Sequence, residues 1–589
     1  MLFGQPKQQR AKTTSISAPL GGWNARDSLA EMNPMDAVSL INLFPTPTDV
    51  TLRKGFTKQA TGITGKVYSL MNYTKTSGYN LFAAAGTSIY DATVGVASVV
   101  FSGITSDKFQ HINITTAGGH FLVACNGSDP TLMYDGTSWF KIATTSTAHT
   151  ISSMDRTSPS NVVTVTTAVA HGLITGNRVT ITASSEVTFL GAHVITVTSP
   201  TTYTFVSSAT TTVTGATGTY TVLGITGVDS STFINVNLFK NRLYFTQKDT
   251  LKCWYLPVDS VAGAASPLDF GGIARNSGYL QAMGTWTLDA GQGADDYAVF
   301  VTSMGEVIVY NGTDPSTVDT WALKGVWQLG QTFNRRCFFK WSGDLLLLTQ
   351  DGLVPLSSAL QSSRLDPRVN LTDKIYYAVS QAATQYYDNF GWQINYYASQ
   401  NMLILSIPAD TGMEQYVMHT ITKSWARFTG IEAYCWEVSG DADMHFGGDG
   451  YVGLFYDENS DDGSNINASV QQAYSYFDSR GQQKRYTMVR PIFLVSGGNP
   501  SVNAGVNVDF DVQNQLSSVT FTALPPAGIW GTATWDDGVW GSGTLTVSKN
   551  WQGVTGIGYS AGIAMNIAAQ GIEVHWASTD FVMESGGVL

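Results

Sequence analysis

VFVTSMGEVIVYNG, Val299 to Gly312, is an apolar run, a Gly turn, a second apolar run, and a Tyr followed by Asn. The same design returns at Leu81 to Asp91 (LFAAAGTSIYD), Phe121 to Gly136 (FLVACNGSDPTLMYDG) and His445 to Asp457 (HFGGDGYVGLFYD). Looser copies stand at Leu243 to Leu256 and Leu345 to Leu356. Each reads as two strands joined by a tight turn, because apolar β-formers flank a Gly or Asp-Gly that tolerates φ > 0. Tyr90, Tyr134, Tyr255, Tyr310 and Tyr456 recur at roughly 45 residues, the period of a propeller blade. The wide gap between Tyr134 and Tyr255 must hold an insertion. A propeller is a scaffold that serves many activities, so the repeat fixes architecture and leaves function open.

Composition narrows the classes. Of 589 residues 43% are hydrophobic and only 13% charged, about half the usual charged share. Ser, Thr, Asn, Gln and Gly must therefore cover the surface. Such a surface suits burial against partner subunits, since unpaired buried charge is costly; secreted β-proteins also have it. The net charge of −12 argues against gripping nucleic acid through its phosphates, though not against a wall that DNA slides past. Cys125, Cys253, Cys337 and Cys435 are widely spaced in apolar strand patterns and read as buried free thiols. The start MLFGQPKQQRAKTTS lacks the apolar run of a secretory signal, and no stretch is long and apolar enough for a membrane span. The expectation is a soluble chain made in the cytoplasm.

Five segments follow. Residues 1–56 are irregular, and Pro34 to Phe44 predicts one short helix, with Asn33 as N-cap and Pro45 and Pro47 as stops. Residues 57–145 hold two blades, and past the N-terminal segment helix signals nearly vanish. Residues 146–224 are Thr/Ser/Val-rich and strictly alternating (NVVTVTTAVAHGL, NRVTITASS, HVITVTS), which predicts a small inserted antiparallel barrel or sandwich. Residues 225–459 resume the propeller, with Ile404 to Phe428 a variant blade ending in Trp425. In residues 460–589, DENSDDGSN reads as a solvated acidic connector; strands follow, with Pro525, Pro526 and the Trp/Gly loop IWGTATWDDGVWGSG among them. The expected fold is all-β: a six- or seven-bladed propeller with an inserted barrel and a C-terminal sandwich-like platform.

Chemistry is sparse. Asp457, Asn459 and Asp461 alternate like calcium-loop ligands, but Asp462 fills the place that needs Gly, and Ala468 the place that needs Glu. The pairs Asp295-Asp296 and Asp536-Asp537 are neighbours on one strand and point to opposite faces, a poor start for an acid/base couple. His111, His120, His149, His171, His193, His419, His445 and His575 show no metal-binding spacing, and His171, before Gly172, reads as a turn residue. No nucleophile elbow or phosphate loop occurs. Trp530, Trp535, Trp540 and Trp551 suit a subunit contact or loop core better than a ligand site. The expectation is a protein without catalytic, metal or cofactor-binding residues.

The opening GGWNARDSLAEMNPMDAVSLINLFPTPTDVTLRKGF resembles the start of the distal tail-tube, or nozzle, proteins of short-tailed bacteriophages. Gly21-Gly22-Trp23-Asn24 and Asp27 carry the likeness, as do Pro47, Leu52, Arg53, Gly55 and Phe56, which match that family's P…L-R-x-G-F phrase. The Tyr-Asp/Asn hairpins and the close IEVHWASTDFVMESGGVL are similar too. The insertion resembles the small barrel first described as a half-domain of ubiquitin-activating enzymes and common on phage structural proteins, through His171, Gly172, Leu173, Gly176, Val179, Val194 and the Tyr203–Phe205 strand. The resemblance implies a virion protein at the tail tip, made in the cytoplasm of a bacterial host. It implies a homohexamer whose N-terminal segment, residues 1–56, packs on the C-terminal platform and which docks to a tail adaptor ring and tail fibres, in reach of the host envelope, with genomic DNA passing unread through the central lumen and no cofactor. Two rival readings are a carbohydrate-binding propeller used for receptor recognition and a polysaccharide depolymerase.

Overall fold

The computed structural model describes residues 11–75, 77–145, 148–289, 294–341, 343–360, 369–512, 516–521, 546–548 and 550–586. Among them, seven antiparallel sets of three or four strands form the blades of a closed propeller; blades two to five are separate sheets, blades one and seven share one, and blade six opens a larger one. The inner strands, in chain order, are 67–74, Gln110–Thr116, Phe233–Phe239, Leu280–Asp289, Phe338–Trp341, Gln393–Tyr397 and Cys435–Val438. Each packs beside the next, and the last returns to the first.

Closure rests on the 19-residue strand Phe56–Thr74. Its second half pairs with Tyr79–Ala85 as the inner strand of blade one. Its first half pairs with Asp449–Phe455 as the outer strand of blade seven. Gly62 and Gly65, at φ +85° and +87°, let the chain leave one sheet for the other where an L side chain would be strained. The ring is thus clasped by chain from both ends of the propeller, and its blades present few free edges.

The recurring tyrosines occupy one structural position. Tyr90, Tyr134, Tyr255 and Tyr310 each stand at or next to the end of the third strand of blades one to four, opposite Ala83, Leu122, Tyr244 and Ala298. All four are buried between blades. Tyr310 stacks on Trp321 at 5.2 Å and meets the ring of Phe270. Tyr456 follows the third strand of blade seven in the left-handed region, φ +65°. Blade five ends its third strand, Gly352–Pro355, without a tyrosine; blade six closes on Trp425–Phe428, as the variant phrase foretold.

Two expectations are corrected. Pro34 to Phe44 is not a helix: Asp36–Ile41 and Leu43–Pro45 are strands. Asn33 does accept the amide of Met35, but it caps a turn, and the backbone beyond pairs with Trp23, Arg427 and Gln472 neighbours. Helix is not absent from the propeller either, since Tyr376–Tyr386 is an α-helix between blades five and six, burying Val379, Ala382 and Ala383 at i, i+3, i+4 spacing. Residues 460–589 build the expected platform from two β-sheets, and the first segment adds strands to both. One platform sheet joins Lys12–Ser17, Leu43–Pro45 and Val50–Leu52 to Lys484–Ser496 and Glu573–Ser585. The other is ten-stranded: it begins as blade six, takes in Gly22–Trp23 and Asp36–Ile41, and continues through Ile466–Gln472, Ala561–Ala569 and Ser501–Val508. Both ends of the chain therefore build the platform, and it shares a sheet and a core with the propeller.

The insertion is a seven-stranded antiparallel sheet, from His149–Arg156 to Val213–Val222, curled around its own core of Met154, Phe189, Tyr203 and Tyr220. It is fixed to blade two. Asn177 donates to the Lys141 carbonyl at 3.0 Å, Arg178 ion-pairs with Asp135, and its guanidinium lies 4.9 Å from the Phe140 ring centre. Among the described residues no helix is long and apolar enough to cross a membrane.

Candidate functional site: a seam and a channel mouth

The N-terminal phrase lands on one seam between platform, blade six and blade seven. Gly22 (φ +78°) has no room for a side chain, since a Cβ would sit 2.6 Å from the Trp425 carbonyl oxygen. Asn24 donates to Asp36 at 2.8 Å and to Asp27 at 2.9 Å, while its own oxygen accepts the amides of Arg26 and Asp27. Hydrogen bonds from Arg26 and Asn24 hold the Asp27 carboxyl below its usual range. Asp36 also receives Lys374 at 2.8 Å. Arg53, 1% exposed, uses its whole donor fork. Nε donates to Asn42, Nη1 to the Lys54 carbonyl and Asp461, and Nη2 to the Thr429 carbonyl and Asp461. Gly55 lies so close to Ser460 that a Cβ would fall 1.8 Å from its carbonyl oxygen.

Asp461 is therefore a clasp and not part of a solvated connector, while Asp457 accepts from Thr57 and Asp462 pairs with Lys58. Asp296 pairs with Lys240. The side chain of Asp295, and Asp536, Asp537, Trp530, Trp535 and Trp540, lie outside the described residues. Trp551 lies under Arg490, 4.6 Å from the guanidinium. His171 holds its turn, accepting from Leu173 N at Nδ1 and lying 3.0 Å from the Ser199 carbonyl at Nε2. His193, His419 and His445 are lowered in pKa by burial; His575 sits between Asp49 and Glu573. The four thiols are free and buried, and burial pushes Cys125, Cys337 and Cys435 up to about 12.

The second feature is at the axis. The inner strands enclose a cavity of ≈ 380 Å³, with His111 3.3 Å from Glu437. At one end it meets a mouth cavity of ≈ 610 Å³, where the chain rises into the inner strands. Arg336 bridges four blades here, donating to Gln393, the Tyr68 and Phe109 carbonyls and Ser69 at 3.1–3.2 Å. Arg335 donates to the Asn126 carbonyl. Lys108 Nζ stands 4.9 Å from the Phe390 ring centre and 5.3 Å from that of Tyr68, and Arg336 4.9 Å from Phe390. Burial pulls both guanidinium groups down from their ordinary pKa. Among the described residues none of these three cations is in an ion pair. Sequence reasoning passed over this cluster. Its one visible signal was the Arg335-Arg336 doublet just before a blade's first strand, in a chain so poor in charge.

No protein-family model matches the chain, and neither does any curated protein. Among solved structures it is similar to a candidate 6-phosphogluconolactonase of Bacteroides fragilis, at 10% identity and TM-score 0.26 over 63% of this chain and 92% of the other. A similar protein of Bacteroides uniformis gives 10% identity and TM-score 0.25 over 62% and 91%. The endosialidase of phage phi92 gives 10% identity and TM-score 0.14 over 50% and 63%.

Proposed function

We propose that this β-propeller is a structural virion protein, the subunit of a homohexameric tail nozzle that holds in and conducts phage DNA and docks to the tail adaptor and fibres. The observation that carries the reading is the seam. Of the residues on which the N-terminal resemblance rests, Gly22, Arg53 and Gly55 join the first segment to blade six and to the Ser460–Asp461 link that follows blade seven, while Asn24 and Asp27 brace the segment itself. That is an architectural use of a specific phrase, and it ties the first segment into the core that the platform shares with the propeller.

Two features agree with a ring of subunits. The propeller's own axis is crossed by the hydrogen bonds of Arg336 and leaves a cavity of only ≈ 380 Å³, so on this reading the DNA lumen lies between copies. The outer edge of blade one exposes Val94, Val96, Val99 and Val100, a cluster that a second copy would cover. Mass photometry of the purified protein and electron microscopy of virions test the proposal. A six-fold ring that Val96→Glu with Val99→Glu disrupts, while the melting profile is kept, is the expected result. A monomer at all concentrations, absent from purified virions, overturns it.

A further inference from the structure

We infer that the mouth of the propeller channel binds an acidic saccharide, with Lys108 and Arg335 as the carboxylate-binding groups and Phe390 as the platform for the sugar ring. This goes beyond the nozzle reading and does not depend on it.

Three observations converge. First, charge is locally reversed. In a chain of net charge −12, Lys108 and Arg335 line the mouth and Arg336 stands just below it, none in an ion pair among the described residues. Asp388 is the carboxylate lining the mouth, at its exposed rim, and Glu437 lies deeper beside His111. Asp107, adjacent to Lys108, is raised by burial and accepts from the Gly86 amide. A half-buried cation without a carboxylate partner is costly unless an anion arrives to meet it. Second, Gln281 is 7% exposed and lines the same cavity, yet its Oε1 has no hydrogen-bond partner. An acceptor buried without a donor is costly, and a sugar hydroxyl reaching this side chain from the mouth would supply one. Third, the cavity is ≈ 610 Å³, within the range of small-ligand sites, and its wall mixes Phe390 with the neutral amides of Gln281, Gln331 and Gln350. An inorganic anion would use only the cations. A polyhydroxylated ring with a carboxylate uses the cations, the amides and the aromatic face together.

The test uses the full chain, with glucuronic acid and its tetrasaccharide as probes and glucose, inorganic phosphate and a hexadeoxynucleotide as comparators, read by titration calorimetry and saturation-transfer NMR. Glucuronate binding that weakens about tenfold or more in Lys108→Gln or Arg335→Gln is expected. Gln281→Leu should weaken it too, and melting profiles should be unchanged. Glucose should not compete. Failure of either glucuronate probe to bind below about 10 mM overturns the inference. Equal binding of glucose, better binding of phosphate or of the oligonucleotide, or full affinity in Lys108→Gln would do so as well. Assembly into rings is untouched by any of these outcomes, so the two proposals fail separately.

Discussion

Arg53→Ala should open the seam, and the size of the effect follows from the donor count. The wild-type guanidinium satisfies Asn42, two backbone carbonyls and both oxygens of Asp461, at 2.7–3.1 Å. Alanine leaves the Asp461 carboxylate and the Thr429 carbonyl without their donors and a void beside Phe428. Truncating one member of a buried ion pair costs about 3–5 kcal/mol. The Asp461 side chain keeps 14% of its exposure, so water softens its loss and the lower end, about 3 kcal/mol, applies. The neighbouring pair Lys58–Asp462 supplies the control. Its side chains are 39% and 38% exposed, and Lys58→Ala should cost no more than about 1 kcal/mol. Global melting is a poor readout for a chain of several packed units. Native-state hydrogen exchange of residues 56–66 and 449–455 reports the opening free energy of the clasp directly. Equal loss of protection in Arg53→Ala and Lys58→Ala would refute the reasoning, because it would mean that burial of the pair contributes nothing.

Three further outcomes are expected. Tyr310→Ala removes a ring that stacks on Trp321 of its own blade and meets Phe270 beside blade three and should cost about 3–5 kcal/mol by denaturant unfolding; a change below about half a kcal/mol would show that the Tyr phrase is not a blade interface. Gly172→Ala and Gly22→Ala separate strain from clash. Both glycines have positive φ, but a Cβ at 172 meets nothing within 4 Å and should cost about 1–2 kcal/mol, whereas at 22 it meets Trp425 backbone and should cost clearly more, with equal costs counting against the seam's close approach. His445 is 1% exposed, bonded to Gln59 at 2.6 Å and depressed in pKa by burial. Above the unfolded value of about 6.5 both states are neutral and stability is full; as pH falls below it only the unfolded chain takes the proton, so stability drops by up to about 1.4 kcal/mol per pH unit. His445→Gln should lessen the loss of stability as pH falls below about 6.5, and an unchanged slope would show that this histidine takes up its proton equally in the folded and unfolded states.

The blades were legible because their signal is local. A hairpin needs only its own turn and alternation, and the residue that ends its third strand packs in the same way each time, so Tyr90, Tyr134, Tyr255 and Tyr310 could be read without any knowledge of neighbours. The strand pairing within the platform was not legible, because its strands find partners hundreds of residues away. Asp36–Ile41 looked helical from Asn33, Pro34 and the stops at Pro45 and Pro47, yet its partners are Trp23 and residues 469–472. Nothing within the segment announces a parallel neighbour. Tyr376–Tyr386 was hidden for the opposite reason: its apolar stripe is Val-Ala-Ala, too small to stand out against the Tyr and Gln around it.

The same contrast explains why one motif was recognised and the other was not. Gly22, Asn24, Arg53 and Gly55 stand close together in sequence and answer to steric demands that admit no substitute: a backbone approach, a five-donor fork, a turn closed by one amide. Such residues make a phrase. Lys108, Arg335, Arg336 and Phe390 come from three different blade junctions and meet only because the ring closes. A site at a propeller's axis is assembled by topology, with each blade lending one or two side chains from the loop before its inner strand. Its chemistry is therefore spread over the repeat period, and a linear reading that looks for spacing within a motif will pass over it even when the fold itself is read correctly.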